Sequence, residues 1–472
     1  MTLFHTILQV ILLILVVLTV FNIIIFVHEL GHFWAAKWRG LQIDRFQIWF
    51  GKPIWSKTHK GVQYGLGWIP AGGFVALPQM APMEALEGGE KPEKPLPPIS
   101  AMDKIIVAFA GPLFSMLLAL LCAVVVWKVG KPADFVPQQV VGYLEPGSPA
   151  AMSGMKVGDK IIAINGEAVN GFAGSLNSIS ERIILSRGDE ITYTIERPGE
   201  VQPTQFKSGF VTEKSQWFQR RGLRKVGIEP AGPCVVGKVV VNSPAAKAGL
   251  AAGDRVVSID GNKLYSLAQF SQYLKDEKWK TVRLAIETNG NGTREVEVTP
   301  KQPLQPADSG PKVGILWDDK GEVDIRIVHP QPIQQVKDSL KMMWVTITSV
   351  KATDSSIGVD HLSGPVGIGK MLYSLLQMDD GWRRILAFMV LFNVNLAVLN
   401  MMPFPVLDGG HITLAILEKI FGRPVKARPL EILQTVCALA LISLMLFVTS
   451  KDIGDGFGRG SRKQQEIVFP AN

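Results

Sequence analysis

Four stretches of the chain stay apolar for nearly the length a membrane helix needs, running from about Ile7 to Val27, Ile105 to Trp127, Ile385 to Met402 and Ile432 to Val448. Each approaches the ~20 residues that cover a hydrocarbon core, so each predicts a transmembrane helix. No Lys or Arg precedes the first stretch and no small-residue cleavage site follows it. It runs straight into His28-Glu29-Leu30-Gly31-His32, which predicts a retained span rather than a removed leader. Between the second and third stretches polarity is ordinary. Near the end of that region Ile333, Val336, Leu340, Met343, Trp344, Ile347 and Val350 share one helical face. That pattern suits a helix lying on a membrane surface or packed against neighbouring domains.

Composition strengthens the membrane class: 472 residues are 47% hydrophobic, with a mean hydropathy of +0.21. The net charge of +8 matters less than where the charge sits, and no nucleic-acid partner is expected. Lys37, Arg39, Arg45, Lys52, Lys57 and Lys60 follow the first span, and Lys419, Arg423, Lys426 and Arg428 follow the third. Positive residues favour the cytoplasm, so these two loops are expected inside and the N-terminus, central region and C-terminus outside. Arg383, Arg384 and the basic tail from Lys451 to Lys463 argue mildly the other way. Three cysteines are too few for a disulfide framework.

The central region contains a repeat. Ser148-Pro149-Ala150-Ala151, Val157-Gly158-Asp159-Lys160-Ile161-Ile162 and Ile164-Asn165-Gly166 return as Ser243-Pro244-Ala245-Ala246, Ala252-Gly253-Asp254-Arg255-Val256-Val257 and Ile259-Asp260-Gly261. Each copy predicts a short helix, a Gly-Asp turn, a strand and an Asx-Gly turn. The pattern resembles the PDZ domain, which binds peptides by strand addition beside a loop of backbone N–H groups. Val226-Gly227-Ile228 is the expected peptide loop, placed at the start of the second copy. The alternative is that both copies are steric filters without a peptide ligand.

The chemistry centres on His28-Glu29-Leu30-Gly31-His32. Histidines four apart on a helix project from one face and can share a zinc ion, and the Glu beside them can move a proton. Three ionisable groups at the end of a span, among Phe26, Val27, Leu30, Phe33 and Trp34, are costly there unless they function. Two histidines leave zinc short of a third protein ligand. The end of the third span offers Asp408 and, three residues on, His411.

An HExxH at the first span together with Asn400-Met401-Met402-Pro403-Phe404-Pro405-Val406-Leu407-Asp408-Gly409 after a later one resembles the site-2 protease family. The two PDZ copies, Phe50-Gly51-Lys52, Pro70-Ala71-Gly72-Gly73-Phe74-Val75 and Leu362-Ser363-Gly364-Pro365 look like its bacterial RseP-type branch. The resemblance implies zinc on His28, His32 and Asp408, with Glu29 as general base. It implies substrate handling by Asn395, Asn400, Gly72, Gly73 and Phe74, the last three within a re-entrant hairpin whose strands are expected near Phe46–Phe50 and Gln63–Ile69. It also implies single-span membrane proteins as substrates, such as anti-sigma factors or remnant signal peptides, and a bacterial inner-membrane location. A catalytically silent PDZ-bearing membrane scaffold is the rival reading; the oligomeric state is left open.

The expected architecture is a polytopic α-helical membrane protein with four transmembrane helices, a membrane-associated β-hairpin and two extracytoplasmic α/β PDZ domains. In order these are a first helix with HExxH (1–38), hairpin and cytoplasmic loop (39–104, with a mobile Pro- and Glu-rich stretch from Pro78 to Pro98) and second helix (105–129). Next come the PDZ domains (130–225 and 226–305) and a linker with an amphipathic helix (306–381). A third helix with its Leu-Asp-Gly loop (382–429), fourth helix (430–449) and tail (450–472) complete the chain.

Overall fold

The computed structural model describes residues 2–80, 97, 99–288, 292–305, 310–318, 324–422, 427–458 and 469. Most of the expected Pro- and Glu-rich loop, together with Arg423, Lys426 and Arg459 to Lys463, lies outside those residues. The chain divides into two compact units: 1–132, 328–345 and 363–453 form one, and 133–327, 346–362 and 454–472 the other.

The first unit is helical. Helix α1 spans Thr2–Arg39, α2 Ala101–Val129, α3 Pro332–Lys351 (its last turns belong to the second unit), α4 Pro365–Gln377, α5 Gly381–Asn400, α6 Asp408–Phe421 and α7 Ala427–Gly458. Among the described residues four helices, α1, α2, α5 and α7, are long and apolar enough to cross a membrane. Hydropathy alone ends the first apolar run at Val27, but α1 continues to Arg39, so the two histidines sit inside a helix rather than at its end. Ser100 starts α2 by accepting from Asp103 N while the Asp103 carboxylate accepts from Ser100 N, a reciprocal cap that satisfies two orphan donors. Helix α2 packs against α1, α5 and α6. Below it Val20 and Ile24 of α1, Cys122, Ala123 and Val126 of α2, Leu372 of α4 and Ile385, Met389 and Val390 of α5 form one buried cluster. The carboxylate of Asp452, near the end of α7, accepts from Gly364 N at 3.0 Å and Gly367 N at 2.8 Å and so caps α4.

On α3 the expected apolar face is outward: Ile333, Leu340, Trp344 and Ile347 are exposed, while Gln335 and Ser339 are buried. Gln335 donates to the carbonyl of Ala123 at 2.9 Å.

Strands β1 (Arg45–His59) and β2 (Val62–Ala76) pair, but both bend. Residues 45–48 lie between 63–66 and 73–76, and 53–59 lie against 62–67, so the simple hairpin expected becomes a sheet of four short segments. The bends sit where φ is positive, at Trp49 (68°), Gly51 (86°) and Gly72 (67°). Gln47 is 1% exposed and braces the first bend by donating to the carbonyls of Trp49 and Gly51. The Trp49 indole donates to Asn22 Oδ1 at 2.7 Å, which ties the sheet to α1.

The second unit holds two copies of one α/β module. In the first, Lys160–Ile164 is flanked by Glu167–Ala168 and Ile191–Glu196, and the latter by Thr204–Ser208. In the second, Arg255–Ile259 is flanked by Asn262–Lys263 and Val282–Glu287, and the latter by Thr293–Val298. Both Asx-Gly turns take positive φ at both residues, 50° and 80° at Asn165-Gly166 and 48° and 81° at Asp260-Gly261. That is the two-residue hairpin geometry their sequence calls for. The Gly-Asp turns also work alike: Asp159 is buried and pairs with Arg197 at 2.7 Å, and Asp254 is buried and pairs with Arg294 at 3.1 Å.

The expected boundary at residue 226 is corrected. Val226 is buried in the first module's core, and Ile228–Pro230 pairs with that module's opening strand Val141–Leu144. Each copy closes on its own first strand, so Val226-Gly227-Ile228 ends the first module rather than opening the second. The second ends correspondingly, with Ile315–Trp317 on Val236–Val239, and Lys225-Val226-Gly227-Ile228 recurs there as Lys312-Val313-Gly314-Ile315.

In the same unit Arg221 holds Asp360, through its backbone N–H at 2.9 Å and its guanidinium at 3.0 Å. Burial pushes the Asp360 carboxyl up, but the Arg221 contacts outweigh it and hold the group at about 2, below its ordinary 3.8. A lowered carboxyl stabilises the folded state fully above its unfolded value and loses that contribution as pH falls through the folded one. With Arg221 63% exposed, the contribution is discounted to ~1–2 kcal/mol. Arg221→Ala is therefore expected to lower the thermal midpoint at pH 7, with the difference from wild type shrinking between about pH 4 and 2 in fluorescence-monitored unfolding.

Candidate active site

Three helices converge on one small volume. His28 Nε2 and His32 Nε2, on α1, are 3.3 Å apart. Asp408, the first residue of α6, places Oδ2 3.3 Å from His28 Nε2 and Oδ1 3.4 Å from His32 Nε2. Ligand bonds of ~2.0–2.1 Å at the tetrahedral angle separate ligand atoms by about 3.3–3.4 Å, which matches the spacing of the two nitrogens and of each nitrogen from one carboxylate oxygen. The three side chains keep only 10%, 11% and 18% exposure.

Helix α2 contributes no ligand atom yet orients both rings. His32 Nδ1 faces the carbonyl of Val107 at 2.8 Å, and a carbonyl only accepts, so the proton sits on Nδ1 and the Nε2 lone pair points into the cluster. His28 Nδ1 meets Ser115 Oγ at 2.9 Å. The His32 lone pair and a carboxylate directed at one point repel each other unless a cation or a proton lies between them. Asp408 Oδ2 is buried without a hydrogen-bond donor among the described residues, as a metal-facing oxygen would be.

Close backbone approach makes this arrangement possible. A Cβ on Gly111 would strike the His32 ring and come within 2.9 Å of His28 Cε1, and one on Gly31 would strike the backbone of Ala110. Pro112 has no N–H for the carbonyl of Ala108, a residue that lines the site cavity. Gly409 and Gly410 let the 401–405 backbone fold tightly under α6, where any Cβ would collide with Met401 or Phe404. That tuck sets Asp408 at the head of its helix.

A cavity of about 450 Å³ opens onto the cluster. Glu29 lines it beside the histidines, and Phe50, Phe74, Val75, Val406, Leu407 and Ile442 give it apolar walls. Gly73 lines it too, with a notional Cβ only 3.2 Å from Glu29 Cγ. Asn400 Nδ2 lies 3.3 Å from His28 Nε2. Gly72 does not line the cavity; its positive φ lets the chain turn against the ring of Phe50, which stacks on Phe74 at 6.2 Å. Asn395 also lies off the cavity, with a buried Oδ1 lacking a partner among the described residues. His411 lines the cavity, but among the described residues the group able to hold a metal is His28, His32 and Asp408. Val226, Gly227 and Ile228 border a separate cavity in the first module. Sequence reasoning missed Val107, Gly111 and Ser115. Their one signal was Gly111-Pro112, a helix-breaking pair inside an otherwise uniform span.

Membrane-length helices, a buried His-His-Asp cluster and a carboxylate in the same cavity define an integral membrane metalloprotease of the site-2 type. The chain belongs to Peptidase family M50, whose sequence profile matches residues 16–444. It is 28% identical over 443 residues to the Regulator of sigma-E protease RseP of Escherichia coli strain K12, covering 90% of this chain and 94% of that one. A Pasteurella multocida protein whose name includes the words zinc metalloprotease is 28% identical over 455 residues, 92% of this chain and 96% of its own. Among solved structures, the PDZ domain of an SdrC-like protein from Listeria monocytogenes is 27% identical over 20% of this chain and 96% of its own, with a TM-score of 0.17.

Gly111→Ala is expected to leave helix content intact by circular dichroism while lowering metal affinity at least ~10-fold, because the new methyl displaces the His32 ring. Ser115→Ala, which frees His28 Nδ1 without a clash, is expected to cost less by the same metal titration.

Proposed function

We propose that this protein hydrolyses peptide bonds within or beside the transmembrane segments of single-span membrane proteins, using zinc held by His28, His32 and Asp408. The observation that carries the reading is the 3.3–3.4 Å approach of His28, His32 and Asp408 to one another in the same cavity as Glu29. Zinc bound there supplies Lewis acidity to the attacking water and the scissile carbonyl. Glu29 takes the proton from that water and passes it to the departing amine, so the carboxylate ends the cycle as it began. Asn400, beside His28, is placed to donate its amide N–H to substrate backbone.

A helix hides its carbonyls in its own hydrogen bonds, so the substrate must unwind before attack. Segment 73–76 pairs with 45–48 and also borders the cavity, which suits it to receive an extended substrate strand along the edge left unpaired among the described residues. Gly73 and Phe74 then contact substrate, and Gly72 shapes the turn that presents them. The charge pattern supports a site near the cytoplasmic face of the bacterial inner membrane, with the modules, as PDZ domains, outside and excluding substrates whose outer domain is still attached. A silent scaffold would have no use for the convergent donors and the adjacent carboxylate.

Wild-type protein is expected to cleave a model single-span substrate lacking its outer domain, and Glu29→Gln to cleave it ~10²–10⁴-fold more slowly while retaining zinc. Equal cleavage by the two would refute the protease mechanism. Asp408→Ala is expected to lose zinc on purification, and unchanged zinc content would remove Asp408 from the ligand set.

A further inference from the structure

The two modules differ at one matched corner. In the first, Gly227 and Ile228 border a cavity of about 500 Å³ whose walls include Phe172, Ile183 and Ile184. A Cβ on Gly227 would meet Ser148 and then Glu145. The counterpart in the second module is Gly314, where a Cβ would strike Ser243, the repeat of Ser148, and then come within 2.9 Å of the ring of Phe469. Phe469 belongs to the same compact unit and is 4% exposed.

The sequence around Phe469 gives this contact meaning. The last turn of α7 is glycine-rich from Gly454; beyond the helix the chain carries Arg459, Arg462 and Lys463, and only afterwards an isolated apolar triplet, Ile467-Val468-Phe469. An aromatic side chain in such a segment stays in solvent unless a surface is shaped to cover it. Here the closing loop of the second module lies against the Phe469 ring, at the position that borders an open cavity in the first.

We infer that the tail segment centred on Phe469 is a ligand of the second module, bound in cis at the Val313-Gly314-Ile315 loop, so that other apolar peptides must displace it. The inference rests on reading the modules as peptide-binding domains. A tethered segment acts at an effective concentration of order mM, so even a weak intrinsic fit keeps the site occupied against dilute peptide. The first module, whose equivalent cavity is open, then meets incoming chains first, and the second engages only those able to expel the tail.

Full-length protein in nanodiscs, carrying p-benzoylphenylalanine at position 469, tests the contact. Irradiation is expected to crosslink it within the same chain to the tryptic peptides that contain Ser243 or Gly314; crosslinks to the first module, or none, overturn the inference. A fluorescent peptide spanning Glu466–Asn472 then tests ligand character. It is expected to bind the Phe469→Ala protein at least ~10-fold more tightly than wild type, and a peptide with alanine in place of Phe469 is expected not to bind. Equal binding to wild type and variant means that the tail does not compete, which also overturns the inference. Intrachain crosslinking to Gly314 without peptide binding to either protein places the failure in the peptide-binding reading of the module instead.

Discussion

The approach of α1 to α2 at Gly31 and Gly111 is the contact on which the site depends. It brings the His28 and His32 rings against a backbone with no side chain in the way, and it puts Val107 and Ser115 within hydrogen-bonding reach of both Nδ1 atoms. Helix α2 thus supplies orientation without supplying a ligand. In a membrane interior small residues permit close helix packing, and polar side chains persist where they are paired. Both statements hold here at the same few residues. Asp408 completes the cluster because Gly409 and Gly410 let its loop fold tightly beneath α6.

Irregular backbone among membrane-length helices is tolerated only against protein or a cavity. The bent strands β1 and β2 meet that requirement through Gln47, whose amide satisfies two carbonyls at the first bend, and through Trp49, which is bonded to Asn22 of α1. The outer segment of the sheet, 73–76, comes to lie beside Glu29. Glu29 of α1 and the sheet segment 73–76 thus face one cavity, walled largely by apolar side chains.

The repeated modules share a physical plan and diverge in what they meet. In both, a buried aspartate of the Gly-Asp turn is held by an arginine, and a Ser side chain caps the helix that follows the first strand. At the closing loop the first borders an open cavity, whereas the second touches Phe469.

Much of this was legible in the sequence because periodicity and spacing report local geometry. The four apolar runs, the i and i+4 histidines with Glu29 between them, and the Asx-Gly turns each depend on residues close in the chain, where helix and strand repeats dictate which side chains share a face. Other features join residues hundreds of positions apart, and only the tertiary structure decided them. It set Asp408 rather than His411 beside the histidines, recruited Gly111 and Ser115 to orient the rings, and bent an expected hairpin into a four-segment sheet. It also moved Val226-Gly227-Ile228 into the first module, since a closing strand is assigned by the partner it pairs with, and no local pattern names that partner. The zinc-type cluster belongs to both lists: His28 and His32 are a local fact of one helix, and the third corner exists only because α6 meets α1 across α2.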